Sequence, residues 1–169
     1  MKIKISLFLL LFISAVGMNA QGLDGTWKAT IQKSGNEADL YFTFKQDSLN
    51  LTISTEKGQQ EMGTIGLSIN VPFSYALKGD KIKVIGDGSG LTVSIDKLQL
   101  DETLSVSDEE MQVLKKTLTK ALQNNMEATK GDFIKQFIKD DALTIKSRSD
   151  SQMIIADDTG EEITFIKCQ

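Results

Sequence analysis

Leu40-Tyr41-Phe42-Thr43-Phe44-Lys45-Gln46-Asp47-Ser48-Leu49-Asn50-Leu51-Thr52-Ile53 puts Leu40, Phe42 and Phe44 on one side of an extended chain and Tyr41, Thr43 and Lys45 on the other. After the short polar connection Gln46-Asp47-Ser48, the alternation repeats with Leu49, Leu51 and Ile53 against Asn50, Thr52 and Ser54. A period of two marks strands with one buried face, and the brief polar break between them predicts a hairpin.

The same pattern extends in both directions. Upstream, Trp27, Ala29 and Ile31 alternate with Thr26, Lys28, Thr30 and Gln32. Downstream, Met62 to Gly86 carries Ile65, Leu67, Ile69 and Val71, then Phe73, Tyr75 and Leu77, then Ile82 and Val84 after a Gly79-Asp80 turn. A hairpin is expected at Lys78-Gly79-Asp80-Lys81. Pro72, the single proline, separates two of these runs and suits a strand end or bulge better than a central ladder position. Gly86-Asp87-Gly88-Ser89-Gly90 then breaks the chain and reads as a flexible hairpin loop; a phosphate cradle would need a following lysine and a helix start. Leu91, Val93 and Ile95 resume the alternation, and Leu98 and Leu100 follow out of phase, which predicts a bulge near Asp96-Lys97.

At Ser107 the period changes. Ser107-Asp108-Glu109-Glu110 has the form of a capping box, and Met111, Leu114, Leu118 and Leu122 recur at helical spacing. A second, shorter helix is expected from about Lys130 to Lys139, with Phe133, Ile134, Phe137 and Ile138 on one face and Asp140-Asp141 beyond its end. Strands resume with Leu143 and Ile145, Met153 to Ala156, and Glu162 to Lys167 after the Asp157-Asp158-Thr159-Gly160 turn. Nine or ten short antiparallel strands exceed what one flat sheet of this length holds, and closure removes exposed edges. The expected fold is therefore mainly β: an antiparallel up-and-down β-barrel with an insertion of two helices, at about 107–140, before the last strands. A β-sandwich satisfies the same alternation.

Lys2 and Lys4 precede an apolar run from Ile5 to Ile13 and the small residues Ser14-Ala15-Val16-Gly17, the layout of a secretory signal peptide. The run is shorter than the roughly 20 residues that span a bilayer. Cleavage after Ala20 is expected to leave Gln21–Gln169 as one domain without a transmembrane segment, exported to the periplasm, the cell exterior or the outer-membrane surface. Residues 1–20 hold two lysines and no acid, so the net charge of −4 for 169 residues becomes −6 for the remaining 149. An acidic chain without lysine and arginine patches disfavours nucleic acid as a partner. Cys168 is the only cysteine, so no intramolecular disulfide forms and the core must be apolar.

Leu23-Asp24-Gly25-Thr26-Trp27-Lys28 resembles the Gly-x-Trp signature that opens the first strand of lipocalins and their calycin relatives. With the meander that follows and an Ala-Gln cleavage site, the chain is similar to small secreted lipocalin-like proteins of Bacteroides-type bacteria. The resemblance implies that Trp27 closes one end of a barrel. Typical lipocalins carry their helix after the last barrel strand and fatty-acid-binding relatives carry theirs after the first, whereas helices precede the last strands here.

The absence of histidine removes the commonest general base, serine-histidine nucleophile systems and the usual zinc ligands. No cofactor, metal site or catalytic residue is expected. Asp157, Asp158, Glu161 and Glu162 surround one turn in a spacing that fits no calcium loop, and a solvated turn accounts for them. A hydrolase would need such carboxylates buried together. Asp47-Ser48-Leu49 resembles an O-glycosylation site at Ser48, and Asn50-Leu51-Thr52 has the N-glycosylation form. The helical stripe suits docking on the barrel mouth; a membrane face or a protein-partner face fits its pattern too.

The resulting expectation is a non-enzymatic lipocalin-like binder. Trp27, Phe42, Phe44, Leu51, Ile53, Phe73 and Tyr75 would line a barrel interior that accepts a small apolar ligand. The alternative stays open that these side chains fill the barrel and that the protein works through its outer surface or helical insertion as an envelope, interaction or inhibitor module.

Overall fold

The computed structural model describes residues 23–33, 36–59, 63–101, 104–138, 142–156 and 160–169. The signal segment 1–20, the acidic pair Asp140-Asp141 and the turn residues Asp157-Asp158-Thr159 lie outside them. The described strands are β1 (Gly25–Lys33), β2 (Asn36–Lys45), β3 (Ser48–Gln59), β4 (Gly63–Lys78), β5 (Lys81–Ile85), β6 (Thr92–Gln99), β7 (Ala142–Arg148), β8 (Gln152–Ala156) and β9 (Glu162–Lys167), with helix α1 (Asp108–Ile134) between β6 and β7. Every pairing is antiparallel, and neighbours run β3-β2-β1-β9-β8-β7-β5-β4, with β4 returning to β3. Eight strands thus close an up-and-down barrel; β6 pairs with β4 outside that ring.

The alternation dictates which way each strand faces. Leu40, Phe42 and Phe44 of β2 stand opposite Ile53, Leu51 and Leu49 of β3 across the expected hairpin, and all six are buried. The turn closes with Lys45 opposite Ser48; Gln46 takes a left-handed φ of 57°, and its N–H donates to an Asp24 carboxylate oxygen at 3.3 Å. The second expected hairpin pairs Lys78 with Lys81 around Gly79, whose φ of 65° suits glycine. The bulge is where the phase slip placed it: Gly66 faces Lys97 and Leu67 faces Ile95, leaving Asp96 extra.

Three expectations change. The runs on either side of Pro72 form one continuous 16-residue strand, β4. Its ladder with β6 stops at Asn70 and its ladder with β5 starts at Ser74, so Pro72 occupies a gap on that edge, where a residue lacking an N–H costs least. Residues 86–90 are not a hairpin, because β5 and β6 lie end to end along the same edge of β4, and the loop is an excursion between them. Finally, α1 is a single helix of 27 residues in place of two. Its apolar stripe continues past Leu122 through Met126 to Phe133 and Ile134, all packed on the core cluster. Gly131 inside a helix costs about 1 kcal/mol relative to alanine, which docking of Phe133 and Ile134 offsets. The Lys130–Glu127 pair at 2.8 Å bridges the stretch where a break was expected. At the start, Ser107 Oγ accepts from the Glu110 N–H and Glu110 accepts from the Ser107 N–H at 2.9 Å, which completes the capping box and holds the Glu110 carboxyl below its ordinary pKa.

One end of the barrel is filled by aromatic side chains. Trp27 is 0 % exposed, and its indole N–H donates to the Leu23 carbonyl at 2.8 Å. The Lys167 ammonium lies 5.2 Å from the ring centroid. Gly25 makes this approach possible: at φ 118°, a Cβ there would stand 2.9 Å from Lys167 Cε. Phe44 meets Tyr75 edge-on at 5.1 Å, and Phe73 and Leu49 are buried opposite one another on β4 and β3. The Tyr75 hydroxyl is buried without a hydrogen-bond partner among the described residues. Burial first, then the carboxylates of Asp24 and Asp47, pushes its pKa above the ordinary value of 10.0.

Two predictions concern this end. Trp27→Ala removes its largest side chain and should lower unfolding stability by about 3–5 kcal/mol; an unchanged denaturant midpoint would take Trp27 out of the core. Tyr75→Phe deletes an unpartnered hydroxyl and should leave stability at pH 7 equal or slightly higher. Because the folded state holds the Tyr75 proton more tightly than the unfolded state, its contribution is intact below pH 10 and is lost as pH rises through the folded pKa. Paired denaturation curves should show the wild type losing more stability than Tyr75→Phe above pH 10, and parallel losses would contradict this.

Candidate functional site

The opposite half of the barrel is hollow. A partly open cavity of about 440 Å³ lies where β1 ends and β2 begins. Its walls are aliphatic residues from seven strands, Leu40, Ile53, Ile69, Leu143 and Ile155 among them. Phe42 and Phe165, stacked at 5.0 Å between ring centroids, lie deepest along their strands and form its floor. Phe133 and Phe137, in edge-to-face contact at 5.4 Å, cover it from the last turn of α1 and the turn that follows.

Packing accounts for the difference between the two ends. Trp27, Phe44, Phe73 and Tyr75 supply enough volume to fill their half, whereas Ala38, Leu40, Ile53, Ile69 and Ile155 do not span an eight-stranded barrel. Polar groups sit at the rim. Gln32 donates from its amide to the Glu37 carboxylate at 3.3 Å, and the Thr55 hydroxyl donates to the Glu37 carbonyl at 3.1 Å. Gln136 and Glu161 are the other polar residues of the lining among the described residues.

Of the seven interior residues expected from sequence, Phe42 and Ile53 line the cavity. Leu51 is buried one inward position beyond Ile53 along β3, and Trp27, Phe44, Phe73 and Tyr75 belong to the packed end. Residues not singled out from sequence include Leu40, Leu143, Ile155 and Phe165, whose inward phase was available in the alternation. The covering pair Phe133 and Phe137 had the signal of a shared helical face, but nothing to say what that face meets.

Ser48 is exposed, and its hydroxyl donates to the Lys45 carbonyl at 2.7 Å. Asn50, half-buried, donates from its amide to Thr52 Oγ1 at 3.3 Å. Glu161 and Glu162 are both exposed, and among the described residues no three His, Cys, Asp or Glu side chains converge on one point. Cys168 is exposed while its backbone N–H donates to the Thr26 carbonyl at 2.8 Å, extending β9 beside β1.

Besides the packing of Leu122, Met126 and Phe133 on the core, two contacts place α1 over the cavity. Gln123 accepts from the Val93 N–H and donates to the Leu91 carbonyl, both at 2.7 Å, so one side-chain amide pairs with the backbone at the start of β6 much as a neighbouring strand would. Gly88, buried at φ 70°, seats Ile134: an added Cβ would stand 2.4 Å from Ile134 Cδ1 and 3.0 Å from Val71 Cγ1. The excursion 86–90 is thus the docking point of the helix end. Asp87 accepts from the Ser89 N–H at 2.9 Å, which, with the Ser89 hydroxyl and the nearby Lys130 ammonium, keeps its carboxyl below the ordinary pKa.

Gly88→Ala should therefore lose about 1–3 kcal/mol and speed hydrogen exchange at the end of α1 while β1–β3 stay protected. Gly79→Ala is the control, since its φ is 65° with open space around the added methyl. If both variants behave alike, backbone strain explains the loss and the Ile134 contact does not.

Compared with known proteins, the chain matches no family model and shows no significant similarity to a curated protein.

Proposed function

We propose that this is an exported, non-enzymatic, lipocalin-like protein that holds one small apolar molecule in the cavity beneath the end of α1. The observation that carries the reading is the cavity itself, about 440 Å³, walled by aliphatic and aromatic side chains with polar groups confined to its rim. That volume falls in the range of roughly 300–1,000 Å³ typical of small-molecule sites, which combine apolar walls with a few polar anchors. Each methylene moved from water into such a wall gains about 0.8 kcal/mol, so burial of a short chain or ring system suffices for micromolar affinity. Gly25 and Trp27 at the closed end, within an up-and-down barrel, support the lipocalin-like part of the reading. The signal-like residues 1–20 support export.

The test uses N-phenyl-1-naphthylamine, a neutral dye whose emission rises and shifts to the blue in apolar surroundings. Saturable one-to-one binding is expected, and Ile53→Trp, which pushes an indole into the cavity, should abolish it while the protein still melts cooperatively. No dye uptake by the wild type would overturn the reading and favour a barrel that works through its outer face.

A further inference from the structure

We infer that the stacked rings of Phe42 and Phe165 act as a stop, so that the cavity takes a single apolar chain of up to about ten carbons. The ligand class is a medium-length alkyl compound, and these two residues determine its length. This rests on the reading of the cavity as a binding site and adds to it the size of the occupant.

The cavity ends at a common level on several strands. On β3, β4 and β8, Ile53, Ile69 and Ile155 line it, whereas the next residues of the same face toward the aromatic end, Leu51, Val71 and Met153, are fully buried and do not. On β2 and β9 the last lining residues are Phe42 and Phe165, whose rings stack at 5.0 Å with 26° between their planes. Two flat rings at that level close the inner end with carbon. Support for them comes from the filled half of the barrel. Phe42 stands opposite fully buried Trp27 and leans on Phe44 at 6.1 Å, and Phe44 in turn meets Tyr75. A floor backed by close-packed side chains does not admit a further methylene without strain.

A polar group driven against the rings would give up its water for carbon alone, so a chain enters hydrocarbon end first and keeps its head group at the rim. From Glu37 at the rim to Phe42 is five residues along β2. At about 3.3 Å per residue and a strand tilt of about 40°, the depth is roughly 13 Å, which holds about ten extended carbons. Up to that length each added carbon buries another methylene and should tighten binding about fourfold. Beyond it, the excess carbons stay in water at the partly open rim and add nothing.

The experiment is displacement of N-phenyl-1-naphthylamine from the purified protein by straight-chain alkanols from hexanol to tridecanol, each below its solubility limit. Their head group is neutral, so charge at the rim does not enter the comparison. Affinity is expected to rise about fourfold per carbon and to level off near decanol. Phe165→Ala should move that break toward longer chains by about two carbons or more. Ile69→Val, which trims the side wall, should leave it in place. Phe165→Leu replaces the alanine variant if that one fails to fold, with a smaller shift in the same direction. If affinity climbs without a break through tridecanol, the stop is overturned and the cavity reading survives. A break that stays at the same length in a folded Phe165 variant overturns the assignment to the stacked rings. If the dye binds and no alkanol displaces it, the alkyl class is overturned. If the dye does not bind at all, the binding reading fails and this inference falls with it. The break is read on the wild type alone, so the length limit stays testable whichever variants fold.

Discussion

The backbone of β4 sets the constraint from which the rest of the molecule follows. Sixteen extended residues must satisfy hydrogen-bonding groups on two edges. One edge is matched by β3 from Gly63 to Ser74, but no single strand covers the other, which β5 and β6 share. The join between them leaves positions 71–73 without a ladder partner on that side, and there the chain places its one proline and turns outward through residues 86–90. Beyond the join, β6 turns a second edge away from β4, and an exposed edge invites pairing with another chain. Gln123 meets the start of this edge with one side-chain amide, and Gly88 in the excursion seats Ile134. The helix is therefore placed by the needs of one long strand, and the cover over the cavity comes from that placement.

Closure divides the interior unequally. The β1–β9 seam consists of Trp27 opposite Lys167 and Lys28 opposite Ile166, extended by the Cys168 N–H to the Thr26 carbonyl. This short seam falls at the aromatic end, where the Lys167 ammonium lies over the Trp27 ring. On the outer face, Lys28 pairs with Asp39 at 2.8 Å; hydrogen bonding to Lys28, with further help from Thr30, lowers the Asp39 pKa, yet both side chains remain partly exposed and add little to stability. Apolar packing at the closed end is what holds the barrel shut. Aromatic volume is concentrated where the seam needs it, so the other end is lined by smaller aliphatic residues and stays hollow.

Much of this was legible in the sequence, and the limits have physical reasons. Alternation in 40–53 gave the hairpin and the inward faces because a period of two leaves a chain only one way to bury its apolar side. The phase slip at Asp96 gave the bulge for the same reason. The break expected in the helix before residue 130 was wrong because the apolar stripe does not lapse there: Met126 docks on the core between Leu122 and Phe133, and Ile134 follows. Pro72 misled too, since its cost depends on which edge has a partner and sequence does not reveal that. The void was beyond reach: Ile53, which lines it, and Leu51, buried next to it in the packed interior, are residues of the same kind. Gln123 carried no signal, because an amide on a helix surface usually faces water.

The way α1 is held makes the cover separable from the barrel. None of its 27 residues is fully buried; Leu122, Met126, Phe133 and Ile134 are only partly so. Its first turns are stabilised from within, by the capping box and by Asp108, Glu109 and Glu110 at the positive end of the helix dipole. A helix that carries much of its own stability while contributing little buried surface can leave its seat at far lower cost than the barrel needs to unfold, since a local opening costs only the interactions it breaks. Those interactions are the packing of Leu122 and Met126 on the core, the Gln123 amide on β6, Ile134 over Gly88, and the two phenyl rings above the cavity. Parting them would expose Phe133 and Phe137 together with the aliphatic walls beneath. An apolar occupant touching both surfaces would recover that exposure, so the stability of the docked helix and the occupancy of the cavity are thermodynamically linked.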